Sequence, residues 1–134
     1  MVHAAKFLLV DDDPINNSIC QAVIRSVYPD ANIITFEKPE EALQFVTHSA
    51  TELLPSTTLF LDLNMPELSG WEFLDELKKI NIADVLKSLR IYIVSSSVDG
   101  RDKSKAAEDS SVIDFFSKPV TKDIVRTVGN AMNG

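Results

Sequence analysis

LFLDLNMPELSG, spanning Leu59 to Gly70, opens on three apolar residues and then sets a carboxylate, Asp62, at their end. Leu59, Phe60 and Leu61 form the short continuous run expected of a strand buried on both faces. Met65-Pro66 disfavours helix at Met65, and the next helical pattern starts only near Gly70. Asp62 therefore opens a loop at the strand's end. An isolated acid there is ordinarily a turn or capping residue, so its meaning depends on what the other strands carry at theirs.

Working outward, Lys6 to Val10 is a second buried-strand run, and it too ends in acids, Asp11, Asp12 and Asp13. Asp13 followed by Pro14 is a strong helix start, with the acid as N-cap and the proline at the first helical position. The predicted helix carries Ile15, Ile19, Cys20, Val23 and Ile24 on one face, leaving Asp11 and Asp12 in the strand-to-helix turn. Ile33 to Phe36 is a third β-rich run, and Lys38-Pro39-Glu40-Glu41 starts a second helix whose apolar residues are Ala42, Leu43, Phe45 and Val46. Thr51 to Thr58 reads as loop. Trp71, Phe73, Leu74, Leu77 and Ile80 recur at helical spacing as core positions, and Ile82, Val85, Leu86 and Leu89 continue that spacing. Ile91 to Val94 is a fourth strand ending in Ser95, Ser96 and Ser97. Val98 to Asp109 is a mostly polar, weakly held helix with Ala106 and Ala107 as its main apolar residues. Val112 to Phe116 is a fifth strand running into Ser117-Lys118-Pro119, and Thr121 to Met132 closes the chain as a helix through Ile124, Val125 and Val128.

Strands alternating with helices imply an α/β fold, a five-stranded parallel sheet with helices on both faces, joined by right-handed crossovers. The 134 residues make one domain, 1–134, of ordinary globular composition, with 25% charged and 45% hydrophobic residues. Thirteen Lys and Arg against 20 Asp and Glu give a net charge of −7, which argues against direct nucleic-acid binding. The N-terminal apolar run is too short for a signal peptide, so no membrane insertion is expected. The single cysteine, Cys20, reads as a small core residue of a protein in a reducing, cytoplasmic compartment.

All strands of a parallel sheet end at one edge, where ligands of open α/β folds bind. Asp11, Asp12, Asp62, Ser95 and Lys118 must then share a rim. Three carboxylates brought together repel by a few kcal/mol per pair even at an effective dielectric near 20. A hard divalent cation such as Mg²⁺ resolves this, because it prefers carboxylate, carbonyl and water oxygens. One Mg²⁺ and Lys118 neutralise three aspartates, and together they can balance the charge of a phosphoryl group arriving at Asp62. Ser95 offers that group a hydroxyl donor.

With the acid pair Asp11-Asp12 after strand one, the DxNMPxxxG loop from Asp62 to Gly70, a hydroxyl after strand four and Lys118-Pro119 after strand five, the whole chain resembles the receiver domain of two-component response regulators. The resemblance implies a flavodoxin-like sheet of order 2-1-3-4-5. It makes Asp62 the phosphoacceptor, fed from the phosphohistidine of a sensor histidine kinase or a histidine phosphotransfer protein. Asp12, Asp62 and the backbone carbonyl of Asn64 would hold Mg²⁺, with Asp11 behind through water. Lys118 would grip the phosphoryl group through a turn in which the bond to Pro119 is often cis. Ser95 would be the switch hydroxyl, in preference to Ser96, and Phe115 the switch aromatic. Signalling would pass to a downstream protein target through the fourth helix, fifth strand and fifth helix. The chain departs from the family at Ser95, where many members have Thr, and at Ser111, near the place of a usual glycine.

Other readings fit less well. A haloacid dehalogenase-like phosphohydrolase also uses a strand-end aspartate and Mg²⁺, but usually has a second acid where this chain has Asn64, and a cap insertion. An interaction-only module would have no need of the complete residue set. A flavin site would not place acids in the first strand-to-helix turn. His3 and His48 lie away from the strand ends, so the phosphodonor is external. The initial Met and the absence of a linker favour a stand-alone receiver over one cut from a hybrid kinase.

Overall fold

The computed structural model describes residues 5–48, 57–79, 89–96 and 100–133. Among these residues five strands alternate with five helices: β1 (Lys6–Val10), α1 (Pro14–Val27), β2 (Asn32–Phe36), α2 (Pro39–His48), β3 (Thr57–Asp62), α3 (Gly70–Lys79), β4 (Leu89–Ser95), α4 (Gly100–Glu108), β5 (Val112–Ser117) and α5 (Lys122–Asn133). All strands are parallel, in the order β2-β1-β3-β4-β5. The central strand β3 is buried along its whole length, which is why it reads as an uninterrupted apolar run. The expected fold class and strand order are both present.

Alternation along the strands divides the core into two layers. Leu8, Val10, Leu59, Leu61, Ile91 and Ile93 face α2, α3 and α4, meeting Ala42, Val46, Phe73, Leu77 and Ala106. Phe7, Leu9, Phe60, Tyr92 and Val94 face α1 and α5, meeting Ile24, Val125 and Val128. Helices α1 and α5 come so close that a Cβ at Gly129 would collide with the Tyr28 ring.

Local chemistry sets the helix starts. Asp13 caps α1 by accepting the Ile15 N–H at 2.9 Å, with Pro14 in the first turn. Thr121 caps α5, its hydroxyl accepting the Ile124 N–H at 3.2 Å. Ser69 and Glu72 form a reciprocal capping box before α3, at 3.1 and 3.2 Å. Helix α4 is held thinly, as its polar sequence implies, since Ala106 is its one buried residue.

Several expectations need correction. Ile15 and Ile19 are 68% and 49% exposed, so α1 does not bury the whole apolar set assigned to it. Thr57 and Thr58, read as loop, are buried in β3, and Leu89, read with a helix, begins β4. Trp71 is half-buried beside the core, not inside it. Cys20 is likewise half-buried. Ile113 is exposed because β5 bulges there: Ile91 pairs with Val112 and Tyr92 with Asp114, leaving Ile113 between them. The expectations for His3, for the loop over 51–56, for Ile80 and helix 81–88, and for residues 97–99 fall outside the described residues.

Candidate functional site

Asp11, Asp12, Asp62, Asn64, Ser95 and Lys118 all lie at the C-terminal rim of the sheet. Asp62 ends β3 and is 4% exposed. Its Oδ1 lies 3.3 Å from Lys118 Nζ and accepts the Asn64 N–H at 3.4 Å. Lys118 Nζ also donates to Asp11 Oδ2 at 2.7 Å, so one ammonium bridges the ends of β1 and β3. Asp11, Asp12 and Asp62 each present a carboxylate oxygen, all within 4.8 Å of one another. These are hard oxygen donors of the kind that suits Mg²⁺.

The backbone fixes these positions. Lys118 N–H donates to the Ser95 carbonyl at 2.9 Å, which ties the end of β5 to the end of β4, and the Lys118-Pro119 bond is cis. Gly70 N–H donates to the Leu63 carbonyl at 3.0 Å, closing the loop after Asp62. A Cβ on Gly70 would stand 2.6 Å from the Asp62 carbonyl oxygen and 2.9 Å from Leu63 Cα, so only glycine lets α3 start this close to the loop.

Burial and the neighbouring Asp11 charge push the Asp62 carboxyl up from 3.8 to about 6, against the opposing pull of Lys118. For Lys118, burial disfavours the charge, but the hydrogen bond to Asp11 and the charges of Asp62 and Asp11 prevail and hold its pKa above the usual lysine value.

Ser95 is fully buried at the end of β4, and its Oγ accepts from Asn64 Nδ2 at 3.3 Å. Ser96 is exposed and lines a cavity of about 270 Å³ between α1 and the β5–α5 turn, with Asp62, Lys118, Cys20 and Ile19 also on its wall. Phe115, opposite Ile93 in register, is half-buried against the α2–α4 side of the core. Asp13 is engaged as the α1 cap. Ser111 stabilises the turn before β5 in the place of the missing glycine, its N–H and hydroxyl donating to Asp109 Oδ1 at 2.9 and 2.6 Å. His48 Nδ1 lies 2.8 Å from the Gln44 carbonyl at the end of α2, away from the rim.

Two contacts were missed in the sequence. One is the Asn64 amide on Ser95, where only the Asn64 backbone drew notice. The other is Asn17, a buried amide whose Nδ2 donates to the Asp11 carbonyl at 2.9 Å and reaches the Phe36 carbonyl at 3.5 Å. A detectable signal existed for Asn17: it stands seven residues before Ile24, hence on the same helical face as that core residue.

Residues 7–128 match the model of the response regulator receiver domain. The chain belongs to this family. Among curated relatives, this receiver domain is 32% identical to stress response regulator protein 1 of Debaryomyces hansenii over 114 residues, 85% of this chain and 43% of that protein. The receiver domain spans between 31% and 43% of the first curated relatives it matches. Among solved structures, a two-component response regulator from Cytophaga hutchinsonii superposes with a TM-score of 0.87 at 28% identity, covering 99% of this chain and 100% of that one. The Mn²⁺-bound form of response regulator Rcp1 shares the fold at a TM-score of 0.71 and 23% identity, covering 96% of this receiver domain and 92% of that chain. No helix among the described residues is long and apolar enough to cross a membrane.

Proposed function

We propose that this chain, as a single domain, is a phosphoacceptor switch that takes a phosphoryl group onto Asp62 from the phosphohistidine of a kinase or phosphotransfer protein. The observation that carries the proposal is the Asp62 carboxylate between the Lys118 ammonium at 3.3 Å and the carboxylates of Asp11 and Asp12. In the reaction an Asp62 oxygen attacks phosphorus, an acyl-phosphate P–O bond forms, the P–N bond breaks, and the imidazole nitrogen leaves with that electron pair and takes a proton. Mg²⁺, held by Asp12, Asp62 and the Asn64 carbonyl with Asp11 behind, would supply the positive charge that offsets the crowded oxygens. Lys118 supplies the second positive charge and, already oriented by Asp11, needs little reorganisation.

Ser95 is the switch hydroxyl in this reading. A phosphoryl oxygen on Asp62 would compete with Asn64 for its partner, drawing the end of β4 inward. Phe115, half-buried on β5, would follow, and the thinly held α4 would shift its equilibrium between two positions for a downstream protein to read. Asn64 leaves no second acid two residues after the acceptor, which disfavours hydrolase chemistry. The −7 charge supports protein partners over nucleic acid, and the single cysteine fits a reducing, cytoplasmic setting.

The test is labelling by a small acyl-phosphate donor with and without Mg²⁺. Mg²⁺-dependent, alkali-labile label is expected on the wild type and none on Asp62→Asn. Undiminished label on that variant would refute the assignment.

A further inference from the structure

Asn17 is the buried polar side chain of α1, 6% exposed, on the helix face turned to the sheet. Its amide sits beneath the acidic turn and joins the ends of β1 and β2. The Phe36 carbonyl accepts the Asp11 N–H at 3.1 Å and lies 3.5 Å from Asn17 Nδ2, which also donates to the Asp11 carbonyl at 2.9 Å. The Asp11 side chain is held as well, its Oδ1 by the Asp13 N–H at 2.9 Å and its Oδ2 by Lys118. Asp11 is thereby pinned at every polar atom. For Asp12 the situation is the opposite: among the described residues no hydrogen bond fixes its carboxylate. Its aim depends on the backbone alone.

The Asp11 carbonyl and the Asp12 N–H belong to one rigid peptide plane. Holding that carbonyl fixes the plane that carries the Asp12 nitrogen and Cα, and so the place from which the Asp12 side chain departs. We propose that Asn17 is a positioning residue for the divalent cation, acting through the Asp11–Asp12 peptide to keep the Asp12 carboxylate on the cluster with Asp62. The inference rests on the Mg²⁺ reading above and adds a residue outside the ligand set. Partners of this kind, which orient ligands without touching the metal, change metal affinity about 10- to 100-fold when lost. Without the Asn17 donor the carbonyl is left buried and unsatisfied, and the plane can rotate to find another donor.

Asn17→Leu keeps the size and removes the donor, and Asn17→Ala serves if the leucine variant does not fold. Mg²⁺ affinity is read by calorimetry without phosphodonor, on protein shown to be folded by circular dichroism. Labelling is then followed across Mg²⁺ concentration. The expected result is about a tenfold weaker Mg²⁺ affinity and a matching rise in the Mg²⁺ needed for half-maximal labelling, with little change in the rate at saturating Mg²⁺. A folded variant whose affinity falls less than about fivefold, below the range for such partners, overturns the inference. Asp12→Asn, run alongside, tests the reading beneath it. If Asp12→Asn loses Mg²⁺ and the Asn17 variants keep it, the inference alone fails. If Asp12→Asn binds as the wild type does, the metal reading fails and the inference with it.

Discussion

Removing the Asp62 charge should make the metal-free protein more stable, and only above the pH at which that charge forms. The folded chain raises this carboxyl from 3.8 to about 6, chiefly by burial and by the Asp11 charge. Below about pH 3 both folded and unfolded chains hold the proton, and the group has little effect on their balance. As pH rises toward 6 the unfolded chain ionises and the folded one resists, so the folded state loses stability across that window. The full shift corresponds to about 3 kcal/mol at about 1.4 kcal/mol per pH unit. Solvent at the rim screens part of this, leaving about 1 to 2 kcal/mol. Asp62→Asn preserves the shape and still offers Lys118 and the Asn64 N–H an oxygen, so it removes the charge with little else. Urea unfolding in the presence of chelator should show the variant more stable by about 1 to 2 kcal/mol at pH 7.5, and level with the wild type at about pH 3. Added Mg²⁺ should narrow the gap, because it stabilises the wild type by binding. A variant equally stable at both pH values, or less stable at pH 7.5, would refute the electrostatic account of the site.

Other consequences follow from the same geometry. Gly70→Ala forces a Cβ within 2.6 Å of the Asp62 carbonyl oxygen; backbone must move, and a loss of about 2 to 3 kcal/mol in unfolding free energy with weaker Mg²⁺ binding is expected. Retention of wild-type values in both measurements would mean the loop tolerates displacement. Trp71 links α3 to α4, donating from Nε1 to Asp102 at 3.2 Å with Lys105 Nζ 4.7 Å from the ring centre. Trp71→Phe should reduce stability by only about 1 kcal/mol, while amide exchange within residues 102–108 quickens severalfold. Unchanged exchange there would show that the link does not restrain α4.

The strands were legible because a strand covered on both faces has few positions for polar residues, so each run ends where the polar rim begins. Asp62, Ser95 and Lys118 could be placed at one edge from parallel topology alone. The errors came where residue type and burial diverge. Thr57 and Thr58 carry hydroxyls yet pair inside the sheet opposite Leu89 and Arg90, so an apolar run understated β3. In α1 the apolar residues span too wide an arc: at about 100° per residue, Ile15 lies opposite Ile24. Asn17 shares the face of Ile24, and polarity hid its burial. The Asn64–Ser95 contact was illegible because sequence places a loop side chain at the site without giving its direction.

Cys20 shares a cavity wall with Asp62, which makes it a second potential nucleophile within reach of an incoming electrophile. Burial, with the Asp11 charge, pushes its thiol up to about 12. At pH 7 only about one thiol in 10⁵ is then ionised, and the thiolate is the reactive form. The Asp62 carboxyl beside it is mostly ionised at the same pH. The rim thus imposes chemoselectivity: burial first, and the Asp11 charge second, silence the sulfur, keeping alkylating or oxidising reagents, as well as phosphoryl donors, from a competing reaction at that wall.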